Sequence, residues 1–466
     1  MFKRGESIPN TAFLILISCA IIEPNEGIYM LINKKNDMTP FDMLQTPQQT
    51  PFFLLPLMWG GSRLMTALSK SRLRIKKTGL KGIRPPYLVI SMHQGFSDYY
   101  IAPLALFPRR AFYVSDMEGF AGFGKALYRA LGCIGKRRFV SDYTVIKNIS
   151  HAFSKKKSVV IFPESRHSNI GTTSLIPGNM GKLAKYYAAK FNTPLVMLLI
   201  HGSYLKNPFW DEEHTRKGKL EAELRLVYTA EELLEADEDI VQKKIEELLS
   251  YDEYAWQEEN RLSYTGKNLA EGMHLPLYRC FSCGTKYRMT SSGNKLTCSS
   301  CGQEFTLTPK GKLFDKDSHA ISPVEWYNSE KEEAIRDLHK QGVNRKFNVR
   351  IESLPNEYGF VKMGTGTLLL DDKAFELNFH PSEKYNYTPK DWHFNQDGSV
   401  TVSFPHKIRE SVQTEYNYRG HGPAIVLSHR DATYYLYSDD KDFNPTEIQF
   451  IAEELYAKTR ILNQSP

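Results

Sequence analysis

Three groups of residues have types and spacings that could do chemistry. The first is His93 and Asp98, separated by Gln94-Gly95-Phe96-Ser97. A histidine can take a proton from a hydroxyl near neutral pH. A carboxylate on its other ring nitrogen fixes the tautomer and steadies the imidazolium. Residues i and i+5 of a regular helix lie about 140° apart, so this pair must sit in a turn entering a helix. Gly95 eases such a turn. The second group is Phe162-Pro163-Glu164-Ser165-Arg166-His167-Ser168. Arg166, Ser168 and the backbone amides there could hold a phosphate; a proline turn with a surface ion pair is the plainer account. The third is Cys280-Phe281-Ser282-Cys283, then 14 residues, then Cys298-Ser299-Ser300-Cys301. Two C-x-x-C knuckles, each followed by glycine, can bring four thiolates to one ion. That favours structural Zn²⁺ with closed coordination and no catalytic role, with rubredoxin-type iron as the competitor.

The elements that must carry these groups follow from apolar patterning. From Tyr87 onward, strand-like runs at Tyr87–Ser91, Ala111–Val114, Ser158–Phe162 and Leu195–His201 alternate with helical stretches. Alternation of this kind predicts an α/β domain built on a largely parallel sheet. Both His93 and Glu164 then fall just past a strand end, where the sites of such folds collect. Thr229–Ser250 reads as a charged amphipathic helix and, with Tyr251–Arg261, closes the domain near residue 262. A zinc ribbon is expected over 275–312. A β-rich region follows over 340–462, with short runs at Phe347–Ile351, Gly364–Leu370, Val400–Phe404, Ala424–Ser428 and Thr433–Tyr437. It ends in a helix that opens at Asn444-Pro445 and runs through Glu447–Thr459. Strands followed by one helix resemble a pleckstrin-homology-like barrel. Tyr385, Trp392, Tyr416, Tyr434 and Tyr435 are expected to build core rather than a binding cage.

Composition and charge bound the setting. With 466 residues, 41% hydrophobic and 24% charged, the chain is globular and too long for one ordinary core. The net charge of +7 is unevenly spread: Met43–Trp210 holds 24 Lys/Arg against 5 Asp/Glu. A segment so basic is expected to face a polyanion, whether nucleic acid, an anionic membrane or phosphorylated substrates. No run reaches the 18 or so apolar residues needed to span a bilayer. Phe52–Leu68 reads as an apolar helix. It runs into Arg63–Arg84, which has eight basic residues and no acidic one and is read as a basic helix. Such a pair suits an anchor lying in the membrane plane; a core helix beside a solvated face is the alternative. Residues 1–50 are expected to be a loosely ordered lead-in, with Met38 and Met43 as alternative starts. Ala12–Ile22, behind Lys3 and Arg4, lacks the small-residue cleavage site of a signal peptide. The clustered cysteines point to metal in a reducing compartment, and Cys19 and Cys133 to buried small apolar residues.

Together, these motifs resemble the glycerophospholipid acyltransferase family, whose best-known members acylate 1-acylglycerol 3-phosphate. Its four blocks occur here in order: His93–Asp98; Gly132-Cys133-Ile134-Gly135-Lys136-Arg137-Arg138; Phe162–Ser168; and Pro194-Leu195-Val196-Met197-Leu198. The resemblance covers about residues 55–262. It implies a glycerolipid-acyltransferase-like mixed sheet with flanking helices, to which the ribbon and the β-rich domain with its terminal helix are appended. It also implies that His93 is the general base, oriented by Asp98. The hydroxyl of a lysophospholipid would attack the thioester of acyl-CoA or an acyl-carrier-protein with no covalent acyl-enzyme. Arg138, Glu164, Arg166 and Ser168 would bind the glycerol phosphate. The setting implied is the cytoplasm, peripheral on the inner face of an anionic membrane, with no nucleic acid partner. The chain departs from the pattern in block three, where Ser165 replaces a glycine and the arginine comes one position early, leaving His167 in its usual place. Block four has Met197 where a second proline is common. Two other readings remain open: a non-catalytic lipid-binding scaffold on the same fold, and a nucleic-acid-binding protein using the ribbon and the basic surface. The β-rich region is expected to be a regulatory or interaction domain, which limited proteolysis would remove to leave an active N-terminal fragment.

Overall fold

The computed structural model describes residues 36–464 apart from Lys70, Glu212 and Glu213. Lys3, Arg4, the Ala12–Ile22 run and Cys19 therefore lie outside the described residues. The first domain is a seven-stranded mixed sheet of β1 (Arg72–Thr78), β2 (Leu88–Ser91), β3 (Ala111–Asp116), β4 (Cys133–Lys136), β5 (Ser158–Ile161), β6 (Leu195–His201) and β7 (Lys219–Tyr228). Its order is β1-β7-β6-β2-β5-β3-β4. All neighbours run parallel except β6 and β7. The four expected strands are present. The inner strands are buried on both faces, as a parallel sheet requires. In β2, Leu88 and Ile90 pack among Ile149, Phe153 and Tyr187, while Val89 packs among Tyr100, Ile101 and Ala105.

The basic run is not a helix. Arg72–Thr78 is an edge strand in which Leu73 and Ile75 face the core and Arg72, Arg74 and Lys76 face out. The alternation has period two, and outward cations keep an open edge from pairing with other chains. The apolar helix does form, over Leu55–Leu68, but it buries only Leu55 and Ser62. Thr229–Ser250 is likewise two helices, Ala230–Glu235 and Glu238–Leu249, each with its own side-chain cap from Thr229 or Asp237.

The ribbon is a five-stranded antiparallel sheet whose last strand ends at Ile321. A helix not expected from the sequence, Pro323–Gln341, follows it. The β-rich domain has eight antiparallel strands between Arg345 and Tyr437, then the helix Pro445–Gln464. Trp392 and Tyr434 lie in its core, with the Trp392 indole N–H donating to the Tyr434 hydroxyl at 2.9 Å.

The two large domains share buried contacts. Arg137 is 3% exposed. Its guanidinium donates to the carbonyls of Leu354, Pro355, Arg430 and Asp431 and to the Thr433 hydroxyl, at 2.6–3.1 Å. Burial pulls its pKa down to about 10. Residues 36–50 are not loose either, because they lie along the seam. Asn356 and Asn386 bind the Asp37–Thr39 backbone and side chains, while Arg129 donates to the Asp42 and Gln45 carbonyls. Replacing Arg137 with methionine orphans five acceptors and is expected to destabilise the chain by on the order of 3 kcal/mol, read as a shifted urea midpoint. A fragment ending at residue 262 is expected to be insoluble, since it would expose that cation and the apolar seam. A soluble, folded fragment would show instead that the domains are independent.

Candidate active site

Parallel pairing puts the C-terminal ends of β2, β5, β3 and β4 on one edge of the sheet. His93 lies two residues past β2, and Glu164 three past β5, its neighbour. Asp98 is the first residue of the helix Asp98–Leu106. Its Oδ2 accepts the backbone N–H groups of Gln94 (2.7 Å) and Gly95 (3.1 Å) and lies 3.4 Å from His93 Nδ1. The turn expected from the i, i+5 spacing is thus built by the carboxylate itself. Gly95 is required there, because a Cβ would come within 2.9 Å of the Ser203 carbonyl oxygen.

Both residues are out of bulk water, with His93 7% and Asp98 0% exposed. Burial, reinforced by nearby Arg138, lowers the His93 pKa to about 3. Burial raises Asp98 to about 6 against the hydrogen bonds it accepts. His93 is therefore a neutral imidazole, held at Nδ1, in an aromatic setting of Tyr99, Phe162 and His167. A neutral ring oriented by a buried carboxylate can accept a proton from a hydroxyl and stabilise the charge that results.

The remaining expected residues are placed less uniformly. Glu164 adjoins His93, but both its oxygens are used. Oε1 accepts the His93 backbone N–H (2.9 Å) and Oε2 that of Ser174 (2.7 Å). Burial raises its pKa to about 7. It builds the loop that carries the base. Arg138 is near His93, yet its guanidinium is paired with Asp116 and Glu118 and lies 3.9 Å from Glu415 of the β-rich domain. Burial opposes its charge, but these carboxylates hold its pKa well above the ordinary value.

Arg166 is not in the site. It crosses the seam to Glu453 (2.9 Å) and the Val412 carbonyl (3.3 Å). Ser168 closes a turn, donating to the Thr172 carbonyl and accepting the Gly171 N–H. The altered block three explains this geometry. Ser165, in the glycine's place, takes a left-handed backbone with φ 58°, and its hydroxyl accepts from Lys136. Arg166 then points to the seam, and His167 comes within 4.3 Å of the His93 ring. His167 and the seam carboxylates were not expected as site components. A second histidine in the block was the one available signal.

Residues 74–201 match the acyltransferase family model. The matched segment takes in β2 to β6, the His93–Asp98 turn and the Glu164 loop, so the chain carries an acyltransferase domain. Among curated proteins, none matches the chain. Among solved structures, it is similar to the 1-acyl-sn-glycerophosphate (LPA) acyltransferase PlsC from Thermotoga maritima. That likeness has 18% identity and a TM-score of 0.32 over 42% of this chain and 80% of the other.

In the ribbon, Cys280, Cys283, Cys298 and Cys301 converge, with all four sulfurs within 4.8 Å of one another. Cys280–Cys301 and Cys283–Cys298 are each 3.8 Å apart. An ion bonded to four thiolates at about 2.3 Å in tetrahedral geometry needs sulfurs about 3.8 Å apart. Gly284 and Gly302 turn the knuckles at φ 70° and 72°.

The pKa values carry a signed prediction. His93 and His167 both titrate near 3 in the folded chain, below the usual 6.5. Acidification through 6.5 therefore protonates these rings only in the unfolded chain and costs stability, which is fully present above that pH. Proton NMR of the imidazole rings is expected to show both neutral from pH 5 to 8. A titration near 6.5 at either ring would mean that water reaches it freely.

Proposed function

We propose that the protein is a membrane-associated O-acyltransferase, in which His93 is the general base and Asp98 its orienting carboxylate. The acyl chain would pass from acyl-CoA or an acyl-carrier-protein to the hydroxyl of a lysophospholipid such as 1-acylglycerol 3-phosphate. The reading rests on the neutral His93 held by Asp98 at the sheet edge, inside the segment that matches the acyltransferase family model. The hydroxyl oxygen adds to the thioester carbon as its proton passes to His93 Nε2. Collapse expels the thiolate, which takes that proton back, giving ester and thiol.

Arg138 receives the headgroup phosphate by exchanging it for Glu415, the most distant of its three carboxylates at 3.9 Å. That exchange keeps the guanidinium paired throughout. Arg166 and Ser168 take no part in this scheme, and Glu164 acts through the loop it holds.

A membrane surface suits the exposed apolar groups near the Leu55–Leu68 helix. Phe52, Phe53 and Leu68 are exposed. Trp59 packs on exposed Phe107, whose carbonyl accepts from Lys77 at 2.7 Å. Apolar side chains beside the cationic outer face of β1 match an anionic bilayer, which we place at the inner face of the cytoplasmic membrane. Among the described residues no helix is long and apolar enough to cross a membrane. The four cysteines hold a structural Zn²⁺, which ties two knuckles into one small core.

One observation favours a lipid-binding scaffold as the second reading: the base is only 7% exposed. Purified protein given labelled acyl-CoA or acyl-carrier-protein and a panel of lysolipids decides between them. Ester formation is expected, together with its loss in His93→Ala while that variant still binds anionic vesicles. Vesicle binding without ester formation would support the scaffold. Elemental analysis is expected to give one zinc per chain, and chelation to unfold the ribbon. Iron in its place, or no metal, would refute the zinc assignment.

A further inference from the structure

The acyl-transfer reading gives His93 a proton to move but does not say what stabilises the oxygen of the attacked thioester. Arg138 is paired with carboxylates and Arg166 is committed to the seam. His167 is placed differently. Its ring centroid is 4.3 Å from that of His93, with the planes inclined at 65°. Tyr99 and Phe209 flank it at 5.9 and 5.6 Å. Its Nε2 is buried and has no hydrogen-bond partner.

A buried imidazole nitrogen left unpaired is costly, on the order of 1–3 kcal/mol. Aromatic neighbours offer it no full hydrogen bond. Such a vacancy beside a general base is a place for a substrate atom. Burial, and the neighbouring His93, keep the His167 ring neutral with a pKa of about 3. Two imidazoles this close cannot share two positive charges, so His167 is suited to donate rather than to act as a second base.

We propose that His167 is a catalytic hydrogen-bond donor, whose Nε2–H binds the thioester carbonyl oxygen as the acceptor hydroxyl attacks. This rests on the acyl-transfer reading of the His93 site. The hydroxyl oxygen forms its bond to the acyl carbon, and the carbonyl π electrons move to the oxygen that His167 holds. The hydroxyl proton goes to His93 Nε2. When the C–S bond breaks, those electrons return, and the proton passes from His93 to the thiolate sulfur. His167 keeps its proton throughout.

Steady-state kinetics with acyl-CoA and 1-acylglycerol 3-phosphate test this in His167→Ala, His167→Gln and His93→Ala, with thermal unfolding as a check on folding. Loss of an oxyanion donor is expected to lower kcat about 100-fold in His167→Ala, with KM for both substrates little changed. His167→Gln, which retains an N–H donor, is expected to regain at least a tenth of the wild-type kcat. If His167→Ala fails to fold, the glutamine variant decides alone. A His167→Ala kcat within threefold of wild type would overturn the proposal. So would a loss confined to KM for the acceptor, which would make His167 a headgroup contact. A glutamine variant no better than alanine would overturn it as well, leaving packing as its role. Wild-type protein that forms no ester, or full activity in His93→Ala, would sink the acyl-transfer reading and this inference with it. Normal His167→Ala beside inactive His93→Ala would sink the inference alone.

Discussion

A guanidinium cannot shed its charge by losing a proton, so one that leaves water must bring acceptors with it. Blocks two and three place three such groups, Arg137, Arg138 and Arg166, at one edge of the sheet, none more than lightly exposed. Much of the molecule is arranged around satisfying them. Arg137 takes backbone carbonyls from the β-rich domain, Arg166 takes Glu453 from its final helix, and Arg138 takes Asp116 and Glu118 from its own domain. The β-rich domain is therefore part of the site's construction. Its aromatic residues continue the enclosure, with Tyr416 packed on Phe209, which in turn meets His167.

The same constraint explains the electrostatic character of the site. The first domain is strongly basic in sequence, yet Arg138, the cation that acts on His93, is neutralised by the half-buried carboxylates of Asp116 and Glu118. What remains around the base is a set of neutral or paired groups in a dry, aromatic setting. There small charges that develop during a reaction interact strongly with fixed dipoles. The turn from Gln94 to Asp98 supplies the fixed geometry, because one carboxylate oxygen both closes the loop and faces the imidazole.

The inner strands were legible because Val, Leu and Ile runs buried on both faces leave a strong local signal. β1 was hidden by its cations: Leu73 and Ile75 alternate correctly, but the four basic residues Arg72, Arg74, Lys76 and Lys77 favoured a helix face. β7 has a comparable alternation of Leu220, Ala222 and Leu224 with charged residues. The His93–Asp98 turn was readable because its partners are five residues apart. The roles of Arg138, Arg166 and Ser168 were not. Arg166 follows a left-handed Ser165 to a carboxylate from the final helix, Arg138 is held by Asp116 and Glu118 some 20 residues earlier, and Ser168 is spent on its own turn. The Cys₄ cluster was legible for the opposite reason, since each knuckle is local and only their meeting is not.

The strip of chain over residues 36–50 has a consequence for how the molecule is made. Its hydrogen bonds reach Pro355, Asn356 and Asn386, more than 300 residues later. A chain emerging from the ribosome in order can pair residues 42–46 of this strip with Arg129 and Asn148, but the Asp37–Phe41 part lacks these later partners until the β-rich domain has appeared. Arg137 completes its set later in synthesis, when Arg430 and Asp431 emerge. The first domain must spend most of synthesis as an incomplete body with an open seam, exposed to association with other nascent chains. Expression of this protein will be governed by the time that seam stays open as well as by the stability of the finished fold.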